Sequence, residues 1–462
     1  MQTQPVEQPS AAPTMNSGSL PDQARGYTDS VLLKTERVTA KFFPQNNGTF
    51  SPSGSRTIRF DISSSMFLDL SQARLCCNIA FTNATGQCML DGGLGGCISR
   101  LSILNSSGQL LERIDDYALL QTVLLQCSSR ARDHESSLWL EEAFIANTHE
   151  PLVDKSLAVS AVGTTGAPCR YKGGQSVDLS HRFHGAWFQT QRKKLLPPGI
   201  MFRVEIELVD SANEALVSNA ASSNQTLTLS NVYINIPTVQ IMSQAFEDAT
   251  MNLLRRGWQW MGTHYKRYTY SVTSGTASDQ QLNVPDKSLA LTGLMAIARR
   301  TADLNNELGF QNYFRAGDVW TSQYNVQIGS QQYPASKIDY AQAHSGDSIT
   351  AGDSVPKLST ALQQIESVLG YVPLNSYRFF SSAGNNTSGA DGTPKYGSGF
   401  QAVQVGYSQG LGMDTASASL PVLFSSQITS SEPLTVTIYT QTTATFRMET
   451  TGGGMINVSS FM

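Results

Sequence analysis

Charge is scarce in this sequence. Of its 462 residues only 15% are Asp, Glu, Lys or Arg, against about 25% in an average soluble protein, and the formal net charge is −4. So weak a field gathers neither phosphates nor anionic lipid, and direct sequence-specific nucleic-acid binding by the folded body is not expected. Long apolar runs are missing as well. No stretch approaches the roughly 18–20 residues that cross a bilayer, and Met1-Gln2-Thr3-Gln4-Pro5 lacks the basic-then-apolar order of a secretory leader, so synthesis in a cytosol-like compartment is the expectation. Cysteine is sparse: Cys76, Cys77, Cys88, Cys97, Cys127 and Cys169 all fall in the first half, with no CxxC pair and no histidine at zinc-finger spacing. They read as reduced packing thiols, the adjacent Cys76 and Cys77 pointing to opposite faces of a strand.

Catalytic signatures are equally thin. There is no phosphate-binding G-x-x-x-x-G-K-[ST], and Gly92-Gly93-Leu94-Gly95-Gly96 lacks the strand and helix that such a loop joins. Gly406-Tyr407-Ser408-Gln409-Gly410 matches the G-x-S-x-G of serine hydrolases, whose catalytic histidine follows the serine in chain order. All six histidines, His134, His149, His181, His184, His264 and His344, precede Ser408, so that triad cannot be completed. His181 and His184 are two nitrogen ligands without a third at short spacing, and read as structural. No catalytic residue, metal or cofactor is expected.

What the sequence has is length, small polar residues and short strands. At 462 residues it exceeds the roughly 250–300 at which one core stops growing, which implies two domains. Residues 1–27 form a Gln/Pro/Ser/Ala-rich arm with little apolar content beyond Val6 and Leu20, expected to be extended and to order only on a partner. Beyond it, Ile58, Phe60 and Ile62 alternate with polar neighbours, 74–81 and 98–104 read as further strands, and Asn105-Ser106-Ser107-Gly108 turns the chain into 110–114. Helical spacing appears at 117–126, 134–146 and 355–369, the last with Leu358, Leu362, Ile365 and Leu369 on one face. Strands resume at 176–179, 201–209 and 231–236, and again at 265–272, 282–284, 289–298, 324–328, 400–405, 420–425 and 434–445.

Between the halves, Phe246 to Arg256 reads as a helix closed by Gly257 and followed by Trp258 and Trp260. The expected division is an arm at 1–27, a first domain at 28–245, a connector at 246–262, a second domain at 263–450 and a tail at 451–462 released by Gly452-Gly453-Gly454. Trp and Arg are the residues that most often anchor interfaces. Arg255, Arg256, Trp258 and Trp260 are therefore candidate assembly residues along with Val6 and Leu20 of the arm, the alternative being plain packing between domains. Other basic pairs, Arg192-Lys193-Lys194, Lys266-Arg267 and Arg299-Arg300, are dispersed and read as solvated faces or salt bridges.

Many short, turn-punctuated strands indicate an all-β sandwich or barrel, and the jelly roll is the common two-sheet solution. Three segments carry a resemblance across nearly the whole chain: Arg100 to Tyr117 (RLSILNSSGQLLERIDDY), Lys194 to Leu208 (KLLPPGIMFRVEIEL) and Ser322 to Pro334 (SQYNVQIGSQQYP). They look like the double jelly-roll major capsid proteins of Polinton-like viruses and virophages, relatives of adenovirus hexons. The resemblance implies two fused eight-stranded antiparallel jelly rolls with short helical insertions. It also implies a homotrimer whose six jelly rolls make a pseudo-hexameric capsomer tiling an icosahedral DNA-virus shell, with neighbouring capsomers, penton and minor or cement proteins as partners and the virion as its location. Membrane contact is left open. The alternatives are another β-sandwich interaction protein, such as a spike, a fibre or a carbohydrate binder, and the G-x-S-x-G hydrolase. A smaller RNA-virus coat would carry a basic arm, whereas here Arg25 stands against Glu7 and Asp22.

Overall fold

The computed structural model describes residues 35–46, 48–82, 87–90, 92–128, 171–172, 176–189, 195–218, 225–273, 275–305, 320–339, 355–369, 400–406, 412–417, 419–430, 433–450 and 456–461. Eight principal strands make up the first half: β1 Thr35–Phe42, β2 Thr57–Ile62, β3 Arg74–Thr82, β4 Ile98–Asn105, β5 Leu110–Asp115, β6 Ser176–Arg182, β7 Phe202–Leu208 and β8 Thr226–Ile241. Eight more make up the second: β9 Trp258–Val272, β10 Gly275–Val284, β11 Leu291–Arg300, β12 Trp320–Ile328, β13 Gln331–Asp339, β14 Phe400–Gln404, β15 Val422–Ser430 and β16 Leu434–Thr450. A last strand, β17 Ile456–Phe461, pairs antiparallel with the end of β16.

The order of these strands in space defines the fold. In the first half one sheet runs β1-β8-β3-β6 and the other β2-β7-β4-β5; in the second half the sheets run β9-β16-β11-β14 and β10-β15-β12-β13. Adding eight to every number of the first pattern gives the second. The antiparallel pairs 1·8, 2·7, 3·6 and 4·5 are those of one long hairpin rolled up so that its ends meet, which is the jelly roll. The chain is therefore two jelly rolls fused in sequence. Among the described residues a small sheet at 87–90, 171–172 and 216–218 flanks the first.

Why these segments become strands is plain in their burial. In β2 Ile58, Phe60 and Ile62 are buried while Arg59 and Asp61 are exposed, and β7 buries Phe202, Val204, Ile206 and Leu208 at the same period. Leu75, Cys77, Ile79 and Phe81 of β3 close the other side of the first core. Tyr324, Val326, Val422, Phe424, Val436 and Ile438 do the same in the second. Each fully buried side chain of this size contributes about 1.5–3 kcal/mol.

Helix α1, Tyr117–Ser128, lies between the fifth and sixth strands of the first jelly roll. A second short helix, α2, Ala212–Ala215, is capped by Ser211, and α3, Gln244–Arg256, joins the halves. The last, α4, Val355–Leu369, sits between the fifth and sixth strands of the second jelly roll, the position α1 holds in the first. The helix expected at 117–126 is α1, and every described side chain from Tyr117 to Leu125 is buried. The expected helix at 134–146 lies outside the described residues.

Several strands run further than the spans read from the sequence. The eighth strands span 226–241 and 434–450, and β10 starts at Gly275 although Thr276 to Gln281 is nearly all polar. Trp258 to Gly262, expected in the connector, is the start of β9, because Gly257 at φ 90° ends α3 and turns the chain straight into the sheet. Residues 456–461, expected in a released tail, pair with β16 from Thr445 to Thr450.

Candidate functional site: the junction of the two jelly rolls

A buried polar site lies between the halves. Glu112, on β5, shares a strand face with buried Ile114 and is itself 1% exposed. An isolated carboxylate there would cost several kcal/mol of lost hydration. Glu112 is compensated on both oxygens: the Ala186 backbone N–H donates to Oε1 at 2.7 Å and that of Trp187 to Oε2 at 2.9 Å. His264, on β9 of the second half, places Nδ1 3.2 Å from Oε1. One side chain thus ties together a strand and a loop of the first jelly roll and the opening strand of the second.

Aromatic packing surrounds this contact. Trp187 stacks on Trp260 with centroids 5.9 Å apart and planes 18° from parallel, and meets Phe446 of β16 edge-on at 5.0 Å and Phe202 of β7 at 5.3 Å. Gly262 is required here. A Cβ at that position would run into the Ala186 backbone, so only glycine lets the two chains cross so closely. Most of the described buried apolar residues of both halves form one continuous cluster.

A second polar group lies nearby. Asp116, held at φ 52°, faces Arg299 Nη2 at 3.1 Å and Arg267 Nη2 at 3.4 Å. Its carbonyl oxygen accepts from the Tyr439 hydroxyl at 2.9 Å; burial pushes that phenol well above its ordinary range, so it stays a donor. Asn105 Nδ2 donates to the Val458 carbonyl at 2.9 Å, fastening β17 to the first jelly roll. Lys266 faces Asp286 at 3.8 Å and donates to Ser288 Oγ at 3.0 Å. Lys266, Arg267 and Arg299 are therefore spent on contacts within the chain.

The candidate assembly residues divide accordingly. Trp260, 0% exposed, stacks on Trp187 between the halves, and Trp258, 7% exposed, is also buried within the chain. Arg255 and Arg256 are exposed at the end of α3. Val6 and Leu20 lie outside the described residues. Sequence reasoning missed Glu112, His264 and Asp116. Glu112 did leave a signal, a charged residue on the apolar face of Leu110-Leu111-Glu112-Arg113-Ile114, but its partner His264 lies 152 positions away.

The chemistry set aside in the sequence has structural employment where it is described. The Tyr117 hydroxyl lies 2.8 Å from His181 Nε2 and accepts the His184 backbone N–H at 2.8 Å, and His184 Nδ1 is 2.8 Å from Gln189 Nε2. Burial pushes the Cys97 thiol up to about 12 and the Cys77 thiol well above its ordinary value, so both remain protonated packing groups. Among the described residues no three His, Cys, Asp or Glu converge as for a metal, and no helix is long and apolar enough to cross a membrane. Ser408 lies outside the described residues.

The outer faces of the two corresponding sheets differ in kind. On β2-β7-β4-β5, Asp61 pairs with Arg203 at 2.7 Å, Arg59 with Glu205 at 3.1 Å, Arg56 and Arg100 with Glu207 at 2.9 and 2.8 Å, and Arg100 and Arg113 with Asp115 at 2.8 and 3.0 Å. The matching face of β10-β15-β12-β13 presents Gln281, Asn283, Gln323, Gln327, Ser425 and Gln427. One is a ladder of ion pairs; the other is mostly amides and hydroxyls, with Lys337 exposed on β13.

These features define a double jelly roll. No protein-family model and no curated protein sequence matches the chain, but solved structures do. The quasi-atomic model of the PBCV-1 virus capsid superimposes with a TM-score of 0.58 at 7% identity, covering 93% of this chain and 97% of that one. The Sputnik virophage structure gives 0.58 at 11% identity, with 99% and 93% covered. The mavirus major capsid protein gives 0.51 at 8% identity, with 99% and 97% covered. All three are double jelly-roll capsid proteins. At such identities the likeness establishes the fold, along the full length of the chain.

Proposed function

We propose that this chain is the major capsid protein of an icosahedral DNA virus, three copies of which form a capsomer with six jelly rolls. The observation that carries this reading is the repeated strand order: two jelly rolls of identical topology, locked side by side through Glu112, His264, Trp187 and Trp260. A chain built that way behaves as two neighbouring tiles of one ring, and three such chains complete six positions. Full-length likeness to capsid proteins of PBCV-1, Sputnik and mavirus supports the same role.

On this reading the function is self-association, and no catalytic step is assigned. The jelly rolls stand with their strands roughly normal to the shell, the first running from β1 to β8 and the second from β9 to β16. Residues 1–27 form an arm that reaches a neighbouring capsomer, and penton and cement proteins complete the virion. The low charge suits the role, because broad contacts between polar, uncharged surfaces carry little electrostatic desolvation cost. The direct test is the mass of the purified chain by analytical ultracentrifugation. A stable species near three times 50.1 kDa is expected; a monomer at all concentrations sinks the proposal.

A further inference from the structure

The contact within the chain is one-sided, and its unused halves point to the contact between chains. In the first jelly roll the fifth strand, through Glu112, and the loop between the sixth and seventh strands, through Ala186 and Trp187, lie against the first strand of the second jelly roll. That strand, β9, buries Trp258, Trp260, Gly262 and His264 in succession along one face. The corresponding strand of the first jelly roll is β1, and among the described residues none covers it in this way. Thr35, Glu36, Arg37, Val38 and Thr39 are all exposed, and Val38 is 46% exposed.

The faces match. Val38 alternates in step with Ala40 and Phe42, and the Phe42 ring packs on the first core; Trp260 alternates in step with Tyr268 and Tyr270, which also pack on the core. Both therefore sit on the inward face of their sheet, near the start of its first strand. One is buried under a jelly roll and the other is open. Met242, next to the Thr35–Ile241 pair at the start of β1, is also 45% exposed.

Among the described residues, the complementary surface is exposed on the second jelly roll. The counterpart of β5 is β13, where Gln331, Gln332, Ala335, Ser336 and Lys337 are exposed. The counterpart of the Ala186–Trp187 loop joins β14 to β15, where Asp414, Ser417, Ser419 and Pro421 are exposed. A surface of one kind at one end and its complement at the other make a head-to-tail interface, which closes into a ring when the rotation allows.

We infer that β1, around Val38, is the docking surface for a second copy of this chain, whose β13 and β14–β15 loop seat on it as β5 and the Ala186–Trp187 loop seat on β9. This rests on the trimer reading and specifies its interface. Val38→Arg and Ala335→Arg change exposed positions on opposite sides of the interface. Each is expected to convert the trimer to monomer in ultracentrifugation, with the far-ultraviolet circular dichroism of the folded chain unchanged. In trimers assembled from equal parts of 14N- and 15N-labelled wild-type chain, a lysine cross-linker should join Lys41 of one copy to Lys337 of another, giving mixed-isotope peptide pairs. Variants that both remain trimeric, or cross-links that join Lys41 and Lys337 only within one copy, overturn the surface assignment while leaving the trimer intact. A wild-type chain that is itself monomeric overturns the trimer reading instead. Should either variant fail to fold, the wild-type cross-link decides.

Discussion

At the scale of single residues, Glu112 is the position on which the junction most depends. Its carboxylate receives two backbone N–H groups and faces His264, all buried. Glu112→Ala removes three partners at once and leaves two buried amide donors unsatisfied, so a loss of about 3–5 kcal/mol is expected in urea denaturation. A loss under about 1 kcal/mol, typical of an exposed ion pair, would show that water reaches the site. The sequence displayed half of this. Glu112 on an apolar strand face was visible, whereas His264, Ala186 and Gly262 had no local pattern to mark them, because what they satisfy is supplied by a segment many residues away. Trp258 and Trp260 were conspicuous as large aromatics, but composition alone does not tell an anchor between chains from one between domains.

Elements that alternate cleanly were legible: β2 through Ile58, Phe60 and Ile62, and β7 through Phe202, Val204, Ile206 and Leu208. The start of β10 lies in a nearly all-polar segment, Thr276 to Gln281, so hydrophobic period gave no sign of it although backbone pairing continues. The ends of β8 and β16 do alternate, with Leu227, Leu229, Phe446 and Met448 buried, and the spans read from the sequence stopped short of them. At this scale the ion-pair ladder on β2-β7-β4-β5 makes a pH prediction. Burial alone would raise the Asp115 carboxyl, but hydrogen bonds from Arg100 and Arg113 outweigh it and hold the group below its ordinary value of 3.8. A depressed folded-state value means stability that is present above about pH 4 and lost as the pH falls through the folded value. Arg100→Gln is expected to flatten the acid side of the stability curve between about pH 4 and pH 2, measured by thermal melting. An unchanged acid slope would remove Asp115 from the account.

For the whole molecule, the arm and the body are expected to separate in function. Residues 1–26 carry too little apolar area to contribute to either core, yet at about 3.3 Å per residue an extended segment of that length spans several tens of ångströms, enough to pass beneath a neighbouring capsomer. Ordering it costs about 1–2 kcal/mol per residue, which Pro5, Pro9, Pro13 and Pro21 reduce by restricting the unbound chain. Deletion of residues 1–26 should leave a folded trimer with unchanged melting and abolish or severely reduce the yield of closed shells. A truncated chain that builds normal shells excludes the clamp, and one that fails to fold places the arm in a core.

The central claim, that two fused jelly rolls of one order serve as adjacent tiles of a shell, is tested most directly by electron cryo-microscopy of the assembly this chain forms. The account predicts pseudo-hexagonal capsomers, each of three chains, with six upright jelly rolls around a common axis and the Glu112–His264 contact inside every chain. Capsomers of five or six chains, or jelly rolls lying flat in the shell, would contradict it.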